Sequence, residues 1–285
     1  VVFGQDGDID VKPRSRLDTH RLIEEFMLAA NLAVGRRLAE TAHPVVWRVH
    51  PPPDPEKVEQ LGRAGGAYGL SLPTRREGLR PGDLAGFLAA AAHTQASAAL
   101  HYLGLRTLSR AEYSAEDVGH FGLAAEGYLH FTSPIRRYPD LLVHRLLKRV
   151  LSGDRNPRAG DATELDETAR ACSELERRAM DAEYEALDLY RALAVRERVG
   201  EEFDARITAV TSFGVFAQVA QPFVEGLVHI SDLGSDWFEH DERRMALVGR
   251  SSGRSVRLGD MLRVRISEVD VAKRRIAFTR VDAQA

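Results

Sequence analysis

Apolar residues recur every three or four positions along most of the first 200 residues, which is the spacing of one buried helix face. In the first such stretch, Leu22, Phe26 and Leu38 share a stripe, and Asp18 stands where an N-cap residue belongs. The spacing predicts helices at about 18–40, 55–63, 84–103, 139–151 and 163–198. Between the first two, the run from Val45 to His50 ends at three prolines and predicts a strand.

The periodicity changes near residue 200. Beyond this point, short runs rich in β-branched and aromatic residues alternate with turn residues. These runs predict five strands, at about 203–210, 214–219, 226–230, 261–269 and 275–281. Five strands in a segment of this length are typical of a small OB-type β-barrel. The chain is therefore predicted to be α+β, with a mostly helical domain at 1–199 and a five-stranded OB-fold barrel at 200–285.

The composition is that of an ordinary globular protein. The chain has 285 residues, a formal net charge of -3 and 44% hydrophobic residues. No apolar run approaches the length of a membrane span, so we expect no membrane partner. The single cysteine, Cys172, excludes an intramolecular disulfide and makes a thiolate zinc site a poor candidate. We therefore expect a reducing, cytoplasmic setting.

The charge is evidence against a protein that holds nucleic acid by a uniformly basic surface. Its basic residues are clustered instead, for example at 145–149 and 273–275. A mixed surface with local basic patches is compatible with an RNA channel, but it does not by itself indicate one.

The chemistry is concentrated between Tyr128 and Leu141. This stretch holds two adjacent arginines, Arg136 and Arg137, between Pro134 and Pro139. Because each proline fixes its own φ, the backbone that carries the arginines is stiffened on both sides. A stiff backbone suits an arginine that must meet a phosphate through both arms of its guanidinium. From residue types alone, a helix N-terminus with solvent-facing arginines is an equal alternative.

One carboxylate stands out on the last predicted helix. At 100° per residue, Glu183 falls near the middle of a stripe formed by apolar residues. A buried carboxylate needs a cation, a hydrogen-bond donor or a cavity, because burying an unpaired charge is costly. Two interpretations remain open, namely a salt bridge to a core arginine such as Arg136 or Arg137, and a place in the wall of a cavity.

The stretch HFTSPIRRYPDL, followed by His144-Arg145, closely resembles the signature of the ribonuclease II and ribonuclease R family of exoribonucleases. The resemblance also includes Leu22–Met27 with Ala30-Asn31, Gly119–Ala124, and Glu176–Ala179 with Ala182-Glu183. From about Phe203 to Val281, the chain resembles the C-terminal RNA-binding domain of that family, which is of the ribosomal-protein-S1 type. The chain thus resembles the C-terminal part of the catalytic RNB domain followed by this barrel.

The resemblance implies a processive, magnesium-dependent 3′→5′ exoribonuclease that hydrolyses single-stranded RNA to nucleoside 5′-monophosphates. It implies that Arg136 contacts the scissile phosphate and that Glu183 helps to position the terminal nucleotide. The RNA contacts that it implies are at Thr132, Ser133, Arg137, Tyr138, Phe213, Phe216 and His229.

The paired aspartates that hold magnesium in this family have no counterpart in the chain. The nearest similar run, Asp6 to Asp10, is better interpreted as two short strands around an Asp-Gly turn. We therefore expect no metal site built wholly from this chain, and we expect the magnesium ligands in an upstream part of the same enzyme. The alternative is an RNA-binding relative or fragment that binds RNA without cleaving it.

Overall fold

The computed structural model describes residues 1–3, 9–12, 16–73, 78–154, 156, 161–242 and 244–281. The α-helices within these residues are α1 (Asp18–Ala39), α2 (Pro55–Gly66), α3 (Pro81–Ala91), α4 (Ser97–Thr107), α5 (Tyr138–Leu151) and α6 (Asp161–Val195). The strands of the first 200 residues are β1 (Val2–Phe3), β2 (Ile9–Asp10), β3 (Trp47–Val49) and β4 (Glu112–Ser114). The later strands are β5 (Glu202–Thr211), β6 (Gly214–Val219), β7 (Val224–His229), β8 (Phe238–Asp241), β9 (Ala246–Gly249), β10 (Ser255–Arg257), β11 (Met261–Asp270) and β12 (Arg275–Arg280).

The predicted α+β class is confirmed, and the five predicted barrel strands correspond to β5, β6, β7, β11 and β12. They close into a barrel in the order β11-β12-β7-β6-β5, in which only the β12–β7 pair is parallel among the described strands. On β6, Val215, Ala217 and Val219 point into the core, while Phe216 and Gln218 are only half-buried. This alternation is that of a strand with one buried face. The domain limits at 199 and 200 stay a prediction.

The barrel carries an addition that the sequence patterns did not predict. Strands β8, β9 and β10 form a separate antiparallel sheet, in the order β10-β9-β8. Apolar residues of this sheet, among them Phe238, Leu247 and Val256, join the barrel core. Tyr102 and Leu103 of α4 also pack against that core. The helical part and the barrel therefore share packed contacts through α4.

The prediction of one helix at 84–103 is wrong, because two helices, α3 and α4, occupy this region. The break lies at the polar residues between them. Thr94 bonds through Oγ1 to the carbonyl oxygen of Ala91 at 2.8 Å. A hydroxyl that bonds to a nearby carbonyl competes with the helical ladder, which favours a break at this point.

The predicted apolar stripes of α1 and α6 are buried only in part. In α1 the buried residues are Asn31, Gly35 and Leu38, whereas Leu22 and Phe26 are exposed. In α6 only the two ends are covered, by β4 and α5 at one end and by β2 and the barrel at the other. Residues 177–186 in the middle of α6 are exposed, so the expectation that Glu183 is buried is wrong.

The predicted strands on either side of the Asp-Gly turn are present as the antiparallel pair β1 and β2. The turn itself, at residues 4–8, lies outside the described residues. Over the residues that are described, no helix is long and apolar enough to cross a membrane.

Candidate functional site

The arginine pair lies on a tight turn that leads into α5. The carbonyl oxygen of Ser133 accepts hydrogen bonds from the backbone N–H groups of Arg136 and Arg137, at 3.3 and 3.1 Å. The N–H of Ser133 donates to Asp140 Oδ1 at 2.7 Å. Pro139 stands in the first turn of α5, where its missing N–H costs no helical hydrogen bond. The turn is therefore held from both of its ends.

The two arginines point in different directions. Arg137 is turned inward, and its Nη2 donates to Asp140 Oδ1 at 2.7 Å. Asp140 is completely buried, and only 18% of the Arg137 side chain is exposed. Arg136 is exposed, and so is its neighbour Ile135. Arg137 therefore lines the cleft described below, and Arg136 presents its guanidinium to solvent at the tip of the turn.

A cleft of about 550 Å³ opens between α1, β3 and the signature. Its polar lining consists of His20, Glu24, Asn31, Arg48, His120, Tyr128, His130 and Arg137. It also has apolar walls from α1, including Ile23 and Met27. The signature thus forms one wall of an open, mixed polar and apolar cleft.

Asn31 fixes α1 to the signature segment, a role that the sequence did not reveal. Its Nδ2 donates to the Tyr128 hydroxyl at 3.0 Å, and its Oδ1 accepts from the N–H of Phe131 at 2.9 Å. One turn further along, Gly35 lies against the next loop, and a Cβ there would come within 1.9 Å of the Gly127 carbonyl oxygen. The helix can approach the signature this closely only because residue 35 is glycine.

Five rings stand edge to face along the floor of the cleft. They are His50, His120, Tyr128, His130 and Tyr113. Neighbouring centroids are 5.1 to 5.8 Å apart. These separations lie in the favourable range for aromatic pairs.

Burial keeps His120, His130 and Tyr113 in their uncharged forms. Burial, reinforced by nearby cationic groups, lowers the pKa of His130 to about 3 and that of His120 to about 4. Burial also raises the pKa of Tyr113 to about 12. Tyr113 Oη and His130 Nδ1 share a hydrogen bond of 2.9 Å.

Arg48 completes this floor. Its guanidinium lies over the Tyr113 ring, 4.7 Å from the centroid, and Nη1 donates to Glu176 Oε2 at 2.6 Å. The pair is mostly shielded from solvent on the arginine side, where 14% of the side chain is exposed. A paired arginine on an aromatic face is a rigid group, so the position of this charge in the cleft wall is fixed.

The buried histidines predict a loss of stability in acid. A histidine with a lowered folded pKa binds fewer protons in the folded state than in the unfolded state, so stability falls as the pH drops from about 6.5 towards 3. For His130 alone, the slope in this window is up to about 1.4 kcal/mol per pH unit. Urea unfolding at pH 7 and pH 5 measures it, and His130→Asn should give a shallower dependence.

The exposed His93 provides a control for this measurement, because His93→Asn changes an imidazole outside the cleft. The wild-type slope is expected to persist in that variant. An equal pH dependence in wild-type protein and His130→Asn would show that His130 does not hold the acid-sensitive proton site.

The other predicted contacts in the signature lie at different depths. The Thr132 hydroxyl is enclosed and has no hydrogen-bond partner within the described part of the chain. Tyr138 is half exposed and lines a different cavity of about 400 Å³, together with His43, Arg145 and Arg149. The structure therefore brings Arg137 into the cleft and places Tyr138 on another face.

Two of the three predicted RNA contacts of the barrel, Phe213 and Phe216, lie together in one groove. The rings of Phe213 and Phe216 meet edge to face, with centroids 6.4 Å apart, on the outside of the barrel. Both line a groove of about 600 Å³ that also holds the basic residues Arg191, Lys273, Arg274 and Arg275. Acidic residues share this groove, namely Asp188, Glu225, Glu268 and Asp270. The structure thus makes Phe216 an outward-facing residue and not part of the barrel core.

Two predicted site residues stand apart from these clefts. His229 is exposed at the end of β7, where its Nδ1 and Ser231 Oγ share a hydrogen bond of 2.8 Å. Glu183 is exposed in the middle of α6 and lines neither cleft within the described residues. Its role at the terminal nucleotide stays a prediction.

No group of three His, Cys, Asp or Glu side chains within the described residues is placed to hold a metal ion. Of the alternating aspartates, Asp6 and Asp8 lie outside the described residues, and Asp10 forms an ion pair with Lys12 at 2.7 Å. The described residues therefore do not fit a magnesium site.

The protein combines a helical domain that carries the cleft with a closed five-stranded barrel that has aromatic rings on its outer face. A barrel of this kind is an OB-type module. The family model of the RNB domain matches residues 2–153, and the chain belongs to this family. The S1 RNA binding domain model matches residues 196–280. The resemblance found in the sequence is thereby confirmed.

Curated relatives are similar over nearly all of the chain. Ribonuclease R from Aquifex aeolicus is 40% identical over 272 residues, which is 95% of this chain and 38% of that protein. Ribonuclease R from Escherichia coli is 34% identical over 284 residues, or 96% of this chain and 35% of that protein. The chain therefore spans little more than a third of the length of these relatives.

Among solved structures, the apo form of Mycoplasma genitalium RNase R superposes with a TM-score of 0.86 at 28% identity. The match covers 99% of this chain and 45% of that chain. The same enzyme in complex with ribose methylated single-stranded RNA gives the same values.

Proposed function

We propose that this chain is the RNA-holding part of a 3′→5′ exoribonuclease that hydrolyses single-stranded RNA processively to nucleoside 5′-monophosphates. The observation that carries the proposal is the presence, in one chain, of the proline-braced arginine turn and a barrel with outward aromatic rings. The similarity to ribonuclease R over both parts supports it. We place the enzyme in the cytoplasm, in keeping with its single cysteine.

The barrel groove would gather the strand. Aromatic rings on an exposed face stack on bases of any sequence, and the basic residues of the groove offer contacts to the backbone phosphates. The acidic residues in the same groove limit the purely electrostatic part of binding. We therefore expect RNA binding with a modest dependence on salt.

The signature turn would meet the scissile end. Arg136 is exposed at the tip of a braced turn, where it is able to form charge-assisted hydrogen bonds to a phosphate. Such a contact stabilises the charge that develops in phosphoryl transfer. Arg137, paired with Asp140, would keep the turn in place. Thr132 and Ser133 would contribute to the same wall.

We propose that the enzyme uses magnesium, although the described residues do not supply its ligands. We expect carboxylates of an upstream segment of the same enzyme to hold it.

The experiment compares two proteins on a 3′-labelled single-stranded oligoribonucleotide. The chain alone is expected to bind the RNA without releasing label, and the protein joined to its upstream segment is expected to release labelled nucleoside monophosphate. Binding without release by the joined protein would instead support the RNA-binding relative that does not cleave. The proposal would be overturned if neither protein bound the oligoribonucleotide.

The barrel face predicts a specific loss of affinity. Phe213→Ala or Phe216→Ala should each weaken RNA binding by roughly 1–3 kcal/mol, because each removes a stacking surface. The slope of affinity against salt should change little, since no charge is removed. Fluorescence anisotropy with a labelled oligoribonucleotide measures both quantities. An unchanged affinity in both variants would exclude this face as the binding site.

A further inference from the structure

We propose that Trp237 is a second platform for stacking a base of single-stranded RNA, separate from the face of Phe213 and Phe216. Trp237 directly precedes β8 and is held in place by the loop between β9 and β10. The proposal rests on the proposed function, because it takes single-stranded RNA as the ligand. It adds a contact on the three-stranded sheet β8-β9-β10, which is a different sheet from the barrel.

Trp237 is the most exposed aromatic residue in the described part of the chain, with 72% of its surface accessible. The other tryptophan, Trp47, is 7% exposed and belongs to a hydrophobic core. Exposed tryptophans of this kind are common where an aromatic face is offered to a ligand.

The backbone beneath Trp237 is fixed by the carboxylate of Asp236. Oδ1 accepts from the N–H of Trp237 at 2.7 Å and from the N–H of Ser251 at 3.1 Å. Oδ2 accepts from the N–H and the hydroxyl of Ser252, at 2.8 and 2.5 Å. These four hydrogen bonds hold the pKa of Asp236 well below its usual range. One carboxylate therefore ties the start of β8 to the β9–β10 loop.

One further hydrogen bond and one glycine complete this arrangement. The N–H of Arg250 donates to the carbonyl oxygen of Trp237 at 2.8 Å, so the loop is bonded to both sides of the tryptophan. At position 249 a Cβ would lie 2.3 Å from Asp236 Oδ2, and glycine is what lets the carboxylate approach. The indole thus projects from a backbone that is already ordered. Ordering before binding reduces the entropy that a ligand must overcome.

The surroundings of Trp237 favour a nucleic-acid strand over a protein. Protein-binding hot spots have an aromatic anchor inside a ring of contacts that excludes water. Here the neighbouring loop consists of Ser251, Ser252 and Gly253 between two exposed arginines, Arg250 and Arg254. Arg250 is paired through Nε with Glu239 Oε1 at 2.7 Å, so Arg254 is the arginine that we expect to meet a phosphate. An exposed aromatic face beside polar groups and guanidiniums matches a base with its adjoining phosphates. The occupant we infer is therefore a base of single-stranded RNA.

Intrinsic fluorescence tests the contact directly, because the chain has only two tryptophans. Titration of the chain with an oligouridylate of about fifteen nucleotides should quench its emission. In Trp237→Phe, which leaves only the buried Trp47, the oligonucleotide should no longer quench. Accessibility to acrylamide gives the second readout, since bound RNA should protect the exposed tryptophan of the wild-type chain.

Affinity measurements separate stacking from general surface effects. Trp237→Ala should raise the Kd between about 5-fold and 150-fold, the range expected for loss of one stacked base. Trp237→Phe should retain most of the affinity, because it keeps an aromatic face. Asp236→Ala should weaken binding several-fold by releasing the loop. Met261→Ala, which removes an exposed apolar side chain elsewhere, is the matched control and should leave the Kd unchanged.

The outcomes distinguish this proposal from the proposed function. If the chain binds RNA and the binding depends on Phe213, yet Trp237 is neither quenched nor protected, the platform is wrong and the proposed function stands. If the chain binds no RNA, both fail. If Trp237→Ala abolishes a concentration-dependent self-association and leaves the Kd for RNA unchanged, the indole is a protein contact and the platform is overturned.

Discussion

Asp140→Ala is expected to destabilise the helical domain by about 3–5 kcal/mol, the usual cost of removing one partner from a buried ion pair. The Asp140 carboxylate is fully buried and accepts from both Ser133 N–H and Arg137 Nη2 at 2.7 Å. Without it, the largely buried guanidinium of Arg137 loses its counter-charge and the turn loses one of its anchors. Urea unfolding followed through Trp47, in a Trp237→Phe background, reports on this domain.

Two further variants give losses of stability with which that of Asp140→Ala can be compared. Asp140→Asn keeps the shape and one acceptor but removes the charge, so its loss of stability should be intermediate. Glu40→Ala removes an exposed partner of Arg37, whose Nη1 lies 3.0 Å from Glu40 Oε2, and should cost less than about 1 kcal/mol. If Asp140→Ala costs no more than Glu40→Ala, the buried pair does not hold the turn.

The barrel could be predicted from the sequence because its strands carry their own signal. In β6, every second residue is apolar and buried, and the predicted limits 214–219 agree with the structure. The α5 helix was equally well marked, by Pro139 at its start and by an apolar stripe. In both cases a local pattern coincides with a face that other elements of the same chain cover.

The stripes of α1 and α6 show where this reasoning fails. Periodicity indicates which face of a helix is apolar, but not whether a neighbour covers it. Leu22 and Phe26 lie on the predicted apolar stripe of α1 and are 56% and 64% exposed. The burial inferred for Glu183 depended on the same assumption and failed with it. The identity of the neighbours is a property of the tertiary structure.

The floor of the cleft could not be assembled from the sequence either. Tyr113 and His130 are 17 positions apart, and Arg48 reaches Glu176 across 128 positions. Asn31 is buried, and its Oδ1 accepts from the N–H of Phe131, which lies 100 positions away. Contacts between residues so far apart in the sequence produce no periodic pattern along the chain. The signature was found because it is one contiguous stretch, and its partners were missed because they are not.

The arginine pair gives the second large expected effect. In the protein joined to its upstream segment, Arg136→Ala should lower the single-turnover rate of RNA hydrolysis on the order of 100-fold or more, as removal of a donor to developing charge does. Arg136→Lys keeps the charge and loses the planar fork, so it should reduce the rate far more than the affinity. An interaction made chiefly in the transition state gives this division between rate and binding.

Arg137→Lys is the matched substitution one residue away. Its side chain is engaged with Asp140 and mostly buried, so the change should lower the unfolding midpoint and affect the rate much less than Arg136→Lys does. Rapid-quench assays at saturating enzyme give the rate, anisotropy gives the affinity, and urea unfolding gives the stability. Equal losses of rate in the two lysine variants would refute the division of roles. So would an Arg136→Lys variant that binds RNA poorly but cleaves it at the wild-type single-turnover rate, because Arg136 would then act in binding and not in the transition state.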